Sequence, residues 1–270
     1  MEIQTWIDKF NDELTLLGRS KKTKECYSSF LKRFLLYFKD RHHPKHISAD
    51  DIKKYLVTID SPIQFKQSLA TLRFFYGVVV KQLEKLKRIH YRKYNSKLPD
   101  IIDKQELIKR ITGIKDVRYK AIISLIYETG MRVSECATLK VTDFNKERRE
   151  IKIRRGKGSK DRIVTYGEGL RQILKPYYER REESVWFFHG ENPQNYISTS
   201  TIEKRCQKLI NVHPHQLRHC FSVHYLEEGG SIYILSRLLG HNNIKTTERY
   251  LRLTVSMLSQ IPNHLNQLAA

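Results

Sequence analysis

A histidine and an arginine on one helical turn can do two jobs at a phosphate. The imidazole moves a proton near neutral pH, and the guanidinium grips two oxygens in its planar fork. The sequence His213-Pro214-His215-Gln216-Leu217-Arg218-His219 holds such a pair: Pro214 suits the first turn of a helix, and His215 and Arg218 then share a face. Alone the pair says little, because a His-x-x-Arg arises by chance in any chain this basic. Other reactive clusters flank it. Upstream stand Thr129-Gly130-Met131-Arg132-Val133-Ser134-Glu135 and the turn Gly156-Lys157-Gly158-Ser159-Lys160-Asp161-Arg162; downstream come Leu239-Gly240-His241 and then Thr246-Thr247-Glu248-Arg249-Tyr250. A zinc site built from His215, His219 and His224 competes for the same residues. It fails on spacing, since 215 and 219 share a face while 224 rotates off it, and no His-Glu-x-x-His occurs. Tyr250 is one of 15 tyrosines, and composition alone would make it a core or surface residue.

Taken in order, TGMRVSE, GKGSKDR, HPHQLRH, LGH and the tyrosine beyond it resemble the tyrosine recombinase (phage integrase, Xer-like) family, along the whole chain. The resemblance implies an active site of Arg132, Lys157, His215, Arg218, His241 and Tyr250, with Glu135 supporting it. Lys160 lies on the same turn as Lys157, and the Gly-Lys-Gly pattern favours Lys157. It also implies a site-specific recombinase that cuts and rejoins DNA strands through a covalent 3′-phosphotyrosyl intermediate, with no cofactor, no metal and no ATP. The implied partners are double-stranded DNA recombination sites and further subunits, as a homotetramer on two sites, alone or with a paralogous recombinase; accessory proteins stay open. Two departures point to a minimal core recombinase: segment 188–213 is shorter than in chromosome-dimer-resolving members, and no extra domain precedes Ile3. A plasmid, transposon or phage element fits as well as the Xer subgroup.

The residue types fit that chemistry. A phosphodiester resists attack because its anionic oxygens repel a nucleophile and an alkoxide leaves poorly. Arg132 and Arg218 would neutralise the transition state, and His241 would add a hydrogen bond to the same phosphate. Tyr250 needs a base, for which His215 is placed, and the departing 5′-hydroxyl needs an acid. Lys157 among cations would have its pKa pulled down, which makes it a better donor. A type IB topoisomerase shares these residue types, but the LGH-to-tyrosine spacing and a small helical first domain argue against it. A non-catalytic DNA-binding regulator of the same fold is the other alternative, and all six positions are filled.

The charge and the elements around these residues agree. Lys plus Arg number 50 against 29 acidic residues, a formal +21 and a pI near 9.8, which points away from an ordinary acidic metabolic enzyme and toward a polyanion. The excess is shared: residues 1–97 carry 21 basic and 10 acidic side chains, residues 98–270 carry 29 and 19. No apolar run approaches the ~18 residues of a membrane span. There is no signal peptide, and four scattered cysteines show no paired spacing, so a soluble cytoplasmic protein is expected. Apolar residues at helical spacing predict four or five helices in 1–80, a helical core-binding (SAM-like) domain. The basic run 81–98 reads as a linker, and 99–270 as a catalytic domain. There, helices are predicted over 117–129, 168–180, 200–211, 214–228, 231–239 and 245–254, with a β-hairpin around 150–166. The expected whole is mainly α with a small antiparallel β-sheet, two domains clamping DNA like a letter C. A last amphipathic piece at 257–268 is expected to dock on a partner subunit or pack on its own.

Overall fold

The computed structural model describes residues 2–41, 43–92, 99–154 and 161–254. The chain divides into two compact units, Met1–Lys97 and Leu98–Ala270. The first is helical: α1 (Ile3–Leu16), α2 (Lys21–Tyr37), α3 (Ala49–Val57) and α4 (Pro62–Phe74). The starts are set by local chemistry. Ser20, Ser48 and Ser61 each accept a backbone N–H of the first turn, Asp51 closes a capping box with Ser48, and Pro62 follows Ser61. The stripes Ile7-Phe10-Leu14, Phe30-Leu31-Phe34-Leu35 and Phe65-Leu69-Leu72 meet in one core, joined by Phe75 and Tyr76 from the wide turn Phe75–Val79. Edge-to-face rings, Phe10 on Phe74 and Phe34 on Tyr55, fix its packing.

The basic run is less free than its charge suggests. Leu83–Leu86 form a short 3-10 turn, and Leu86 and Ile89 are buried in the core of the first unit. Arg73 donates to the Ile89 carbonyl at 2.8 Å, Lys85 to the Lys45 and Ile47 carbonyls at 2.6 and 2.8 Å, and Arg92 to the Ile59 carbonyl at 2.7 Å. Two apolar residues hidden among cations thus tie residues 83–92 to the helices before them.

In the second unit α5 (Lys104–Thr112), α8 (Glu168–Arg180), α9 (Thr199–Ile210) and α10 (Pro214–Glu227) surround α6 (Val117–Thr129). Ala121, Ile122, Ile123, Leu125 and Ile126 are all fully buried, so the middle of the helix is enclosed on every side. Three antiparallel strands, β1 (Phe144–Asn145), β2 (Glu150–Ile153) and β3 (Arg162–Thr165), lie in that order, with Ile151 opposite Val164 and Ile153 opposite Arg162. Ile151, Ile153 and Val164 turn inward. The β2–β3 pair is the predicted hairpin; its turn, residues 155–160, lies outside the described residues. The short α7 (Val133–Ala137) and the third strand β1 are additions to the predicted set. Helices α11 (Ile232–Leu239) and α12 (Lys245–Leu251) are the last among the described residues. No helix among the described residues is long and apolar enough to cross a membrane.

Helix α6 ends at Gly130, whose backbone is left-handed at φ +59°, and a Cβ built there would lie 2.3 Å from Cδ1 of Phe221. Both sterics and backbone therefore demand glycine. Gly130→Ala is expected to lose roughly 1–2 kcal/mol from the left-handed conformation alone, and more from the Phe221 overlap. A lowered urea midpoint with unchanged slope is the measurement that checks it.

Candidate active site

The site is organised around a cation that water does not reach. Arg218, on the first turns of α10, is 2 % exposed. Its Nη1 donates to the Gly130 carbonyl at 2.5 Å and its Nη2 to the Leu239 carbonyl at 2.7 Å. These carbonyls belong to the ends of α6 and α11, where backbone acceptors have no partner within the helix and the helix dipole is negative. Both helices stop at a left-handed glycine, Gly130 and Gly240. Burial first, then the neighbouring Arg132, pulls the Arg218 pKa down to about 10, which leaves it charged at neutral pH.

A second cluster holds the other arginine. Arg132 caps α7, and Glu135 accepts from its backbone N–H at 2.8 Å and from its Nη1 at 2.9 Å. From the opposite side Arg162 at the start of β3 clasps the same carboxylate with two nitrogens, at 2.9 and 2.6 Å, while its Nε donates to the Leu238 carbonyl at 2.6 Å. A Cβ at position 240 would meet Arg162 Nη1 at 3.1 Å, so the glycine also clears space for this arginine. Burial alone would raise the Glu135 pKa; the Arg162 fork, helped by Arg132, outweighs it and holds the carboxyl at about 2. The sequence marks Arg162 only as the last residue of the basic turn. Its partners lie 27 and 76 positions away, and a cation opening a surface strand would ordinarily face water.

The remaining predicted residues gather on α10, just beyond α11, and on α12. His241, just after Gly240, has its Nε2 3.1 Å from Arg218 Nη2 and its Nδ1 2.8 Å from Oγ1 of the buried Thr247. Since guanidinium only donates, Nε2 is the acceptor and Nδ1 carries the proton. Burial and Arg218 lower the His241 pKa to about 4, so this imidazole is neutral. Tyr250 on α12 is buried, and its hydroxyl lies 2.8 Å from Nδ1 of His219, not on the predicted base His215. The His215 ring packs edge-on against that of His219, 4.4 Å between centroids, and burial with Arg218 lowers its pKa. His224, from the rejected zinc set, points elsewhere: its Nε2 meets the Ile102 carbonyl and its Nδ1 the Tyr127 hydroxyl. Among the described residues no group of three His, Cys, Asp or Glu is placed to hold a metal ion. The structure thus brings Arg132, His215, Arg218, His241 and Tyr250 into one charged neighbourhood. Lys157, its competitor Lys160 and the 257–268 tail lie outside the described residues.

Glu135 carries a consequence for stability. Its carboxyl is held below the ordinary 4.5, so the stabilisation is complete above that value and is lost as pH falls from there toward about 2. The linked free energy is about 3 kcal/mol. Glu135→Gln is expected to flatten that acid limb in a series of urea midpoints measured against pH.

Comparison with known proteins follows the same outline. Residues 97–257 match the phage integrase family, and residues 6–85 match the phage integrase N-terminal SAM-like domain. The chain is 32% identical to a tyrosine recombinase XerA of Pyrococcus horikoshii over 94% of its own length and 91% of that protein. It superposes on a crystal structure of XerA recombinase with a TM-score of 0.56 at 27% identity, covering 100% and 99% of the two chains. With XerH site-specific recombinase bound to a palindromic difH substrate the TM-score is 0.73 at 23% identity, over 88% of this chain and 78% of the other. The architecture, the ordered motifs and these likenesses agree: the chain belongs to the phage integrase family, the tyrosine recombinases.

Proposed function

We propose that this chain is a site-specific DNA recombinase that breaks and rejoins strands through a covalent bond between Tyr250 and the 3′-phosphate. The observation that carries this reading is the convergence of Arg218 from α10, His241 from just beyond α11 and Tyr250 from α12 on the neighbourhood of Arg132. Two guanidiniums beside one tyrosine suit a phosphate whose charge grows during attack. In the step proposed, Tyr250 Oη bonds to phosphorus as the P–O5′ bond breaks. The phenolic proton passes to His215, and the leaving oxygen takes a proton from Lys157. The phosphotyrosine conserves the bond energy, so an incoming 5′-hydroxyl reverses the step on another strand, with neither ATP nor metal consumed.

His241 would bind the phosphate through Nε2–H, the other tautomer, reached by releasing the Nδ1 proton to solvent and taking one at Nε2; the Thr247 hydroxyl suits both forms, because it can accept from Nδ1–H or donate to Nδ1. In this reading residues 1–80 are the core-binding domain, 81–98 the basic connection and 99–270 the catalytic domain. The protein acts in the cytoplasm on double-stranded recombination sites, as a tetramer on two sites, in the service of a mobile element or of the chromosome. The motif order, the overall charge and the relatives that act on DNA sites support it.

The test is covalent trapping on cognate DNA, found by mapping trapped sites on the host replicon and its mobile elements. Tyr250→Phe is expected to bind site DNA and form no adduct; a covalent 3′-phosphotyrosyl adduct still formed by that variant, through another tyrosine, would overturn the assignment. Chelators should leave cleavage unchanged. Relaxation of supercoils with no preferred site would favour the topoisomerase alternative. A DNA strand with sulfur in place of the 5′ leaving oxygen needs little protonation. Lys157→Ala is therefore expected to fail on ordinary DNA and recover on the sulfur strand. Arg218→Ala should stay defective on both by roughly 10²–10³-fold. Recovery by Lys160→Ala instead would move the acid three residues along.

A further inference from the structure

The contact between His219 and Tyr250 belongs to no role assigned above. Both side chains are buried, and the Nδ1 to Oη distance is 2.8 Å. Which atom donates follows from the far side of the ring. Arg249 Nη2 lies 3.3 Å from His219 Nε2, and a guanidinium can only donate, so Nε2 keeps its lone pair and the imidazole proton sits on Nδ1. His219 then donates to the tyrosine oxygen. The groups facing this imidazole are His215 and Arg218 from its own helix and Arg249 and Tyr250 from α12. Burial, then His215 and the two arginines, lowers its pKa to about 3, so it stays neutral where the enzyme works. A neutral donor of fixed tautomer cannot serve as the base.

We propose that His219 is a hydrogen-bond donor to the nucleophile: its Nδ1–H, pinned by Arg249, holds the Tyr250 oxygen and stabilises the phenolate as the proton leaves for another acceptor. The inference rests on Tyr250 being the nucleophile. A hydroxyl that accepts from His219 has its own proton aimed elsewhere, and His215, whose ring packs on that of His219, is the base proposed above to receive it. The division of labour is then complete: one imidazole takes the proton, while the next keeps its own and bears on the developing charge, as an oxyanion-hole donor does. Their spacing of four positions explains the pairing. His215 and His219 are one turn apart on α10, so both rings present to the same side.

The test uses the full-length protein pre-bound to cognate DNA, with single-turnover adduct formation followed against pH. His219→Leu is expected to bind DNA normally, to slow adduct formation roughly tenfold to a hundredfold and to move the alkaline rise of the pH–rate profile upward. His219→Asn, whose amide N–H can stand near Nδ1, should recover most of the rate and the original profile. Arg249→Met, at an exposed position, frees the tautomer without emptying the core, and should give a smaller slowing with the same direction of shift. In the free wild-type protein, ¹⁵N spectra of labelled histidine should show His219 protonated at Nδ1. An Nε2–H tautomer, or a His219→Leu enzyme with the wild-type rate and profile, overturns the proposal. So does a faster adduct, which would make the contact a restraint on the resting enzyme. Adduct formation by Tyr250→Phe would instead fell the nucleophile assignment itself, and the two failures are read from different variants.

Discussion

A guanidinium buried in protein has to be given acceptors, and in this molecule the acceptors are the ends of two helices. Arg218 would be intolerable in the core without the Gly130 and Leu239 carbonyls. Those carbonyls point at it only because α6 and α11 stop where they do. The glycine stops, the enclosed apolar middle of α6 and the Phe221 contact under Gly130 are therefore parts of one device. The fold converges two chain segments, 88 and 21 positions from Arg218, on a single positive charge. His241 follows the second glycine directly, so the same constraint that satisfies the arginine also delivers the histidine.

Glu135 plays the complementary part. Three arginines, 132, 162 and 218, crowd the neighbourhood, and Glu135 is the carboxylate that bonds to two of them. Arg162 meets it with both forks and has little exposure, while the Arg132 side chain remains about two-fifths exposed. One arginine is thus a brace and the other keeps a face toward solvent. The charge left over is positive, which suits a phosphate and would be costly for an empty core.

Much of this was legible in the sequence because it is local. Ser48 with Asp51, Ser61 with Pro62, and the Val117–Thr129 helix closed by Gly130 are all written within a few residues of one another. The order of the motifs singled out Arg132, Arg218, His241 and Tyr250, which the fold brings together. What stayed hidden depends on distance along the chain or on brevity. Strand β1 has two residues and α7 five, too few to show a period. Leu86 and Ile89 were masked by the cations around them. Arg162 and His219 looked like neighbours of important residues, because their partners lie tens of positions away and no spacing rule joins them.

The neutral imidazoles have a further consequence. His215, His219 and His241 all have their pKa lowered, by burial first and then by surrounding positive charge. A phosphodiester arriving among them would oppose the second cause and leave the first, the larger one, in place. Burial more than charge therefore keeps these rings neutral, the form in which an imidazole can accept a proton at one nitrogen and donate one at the other.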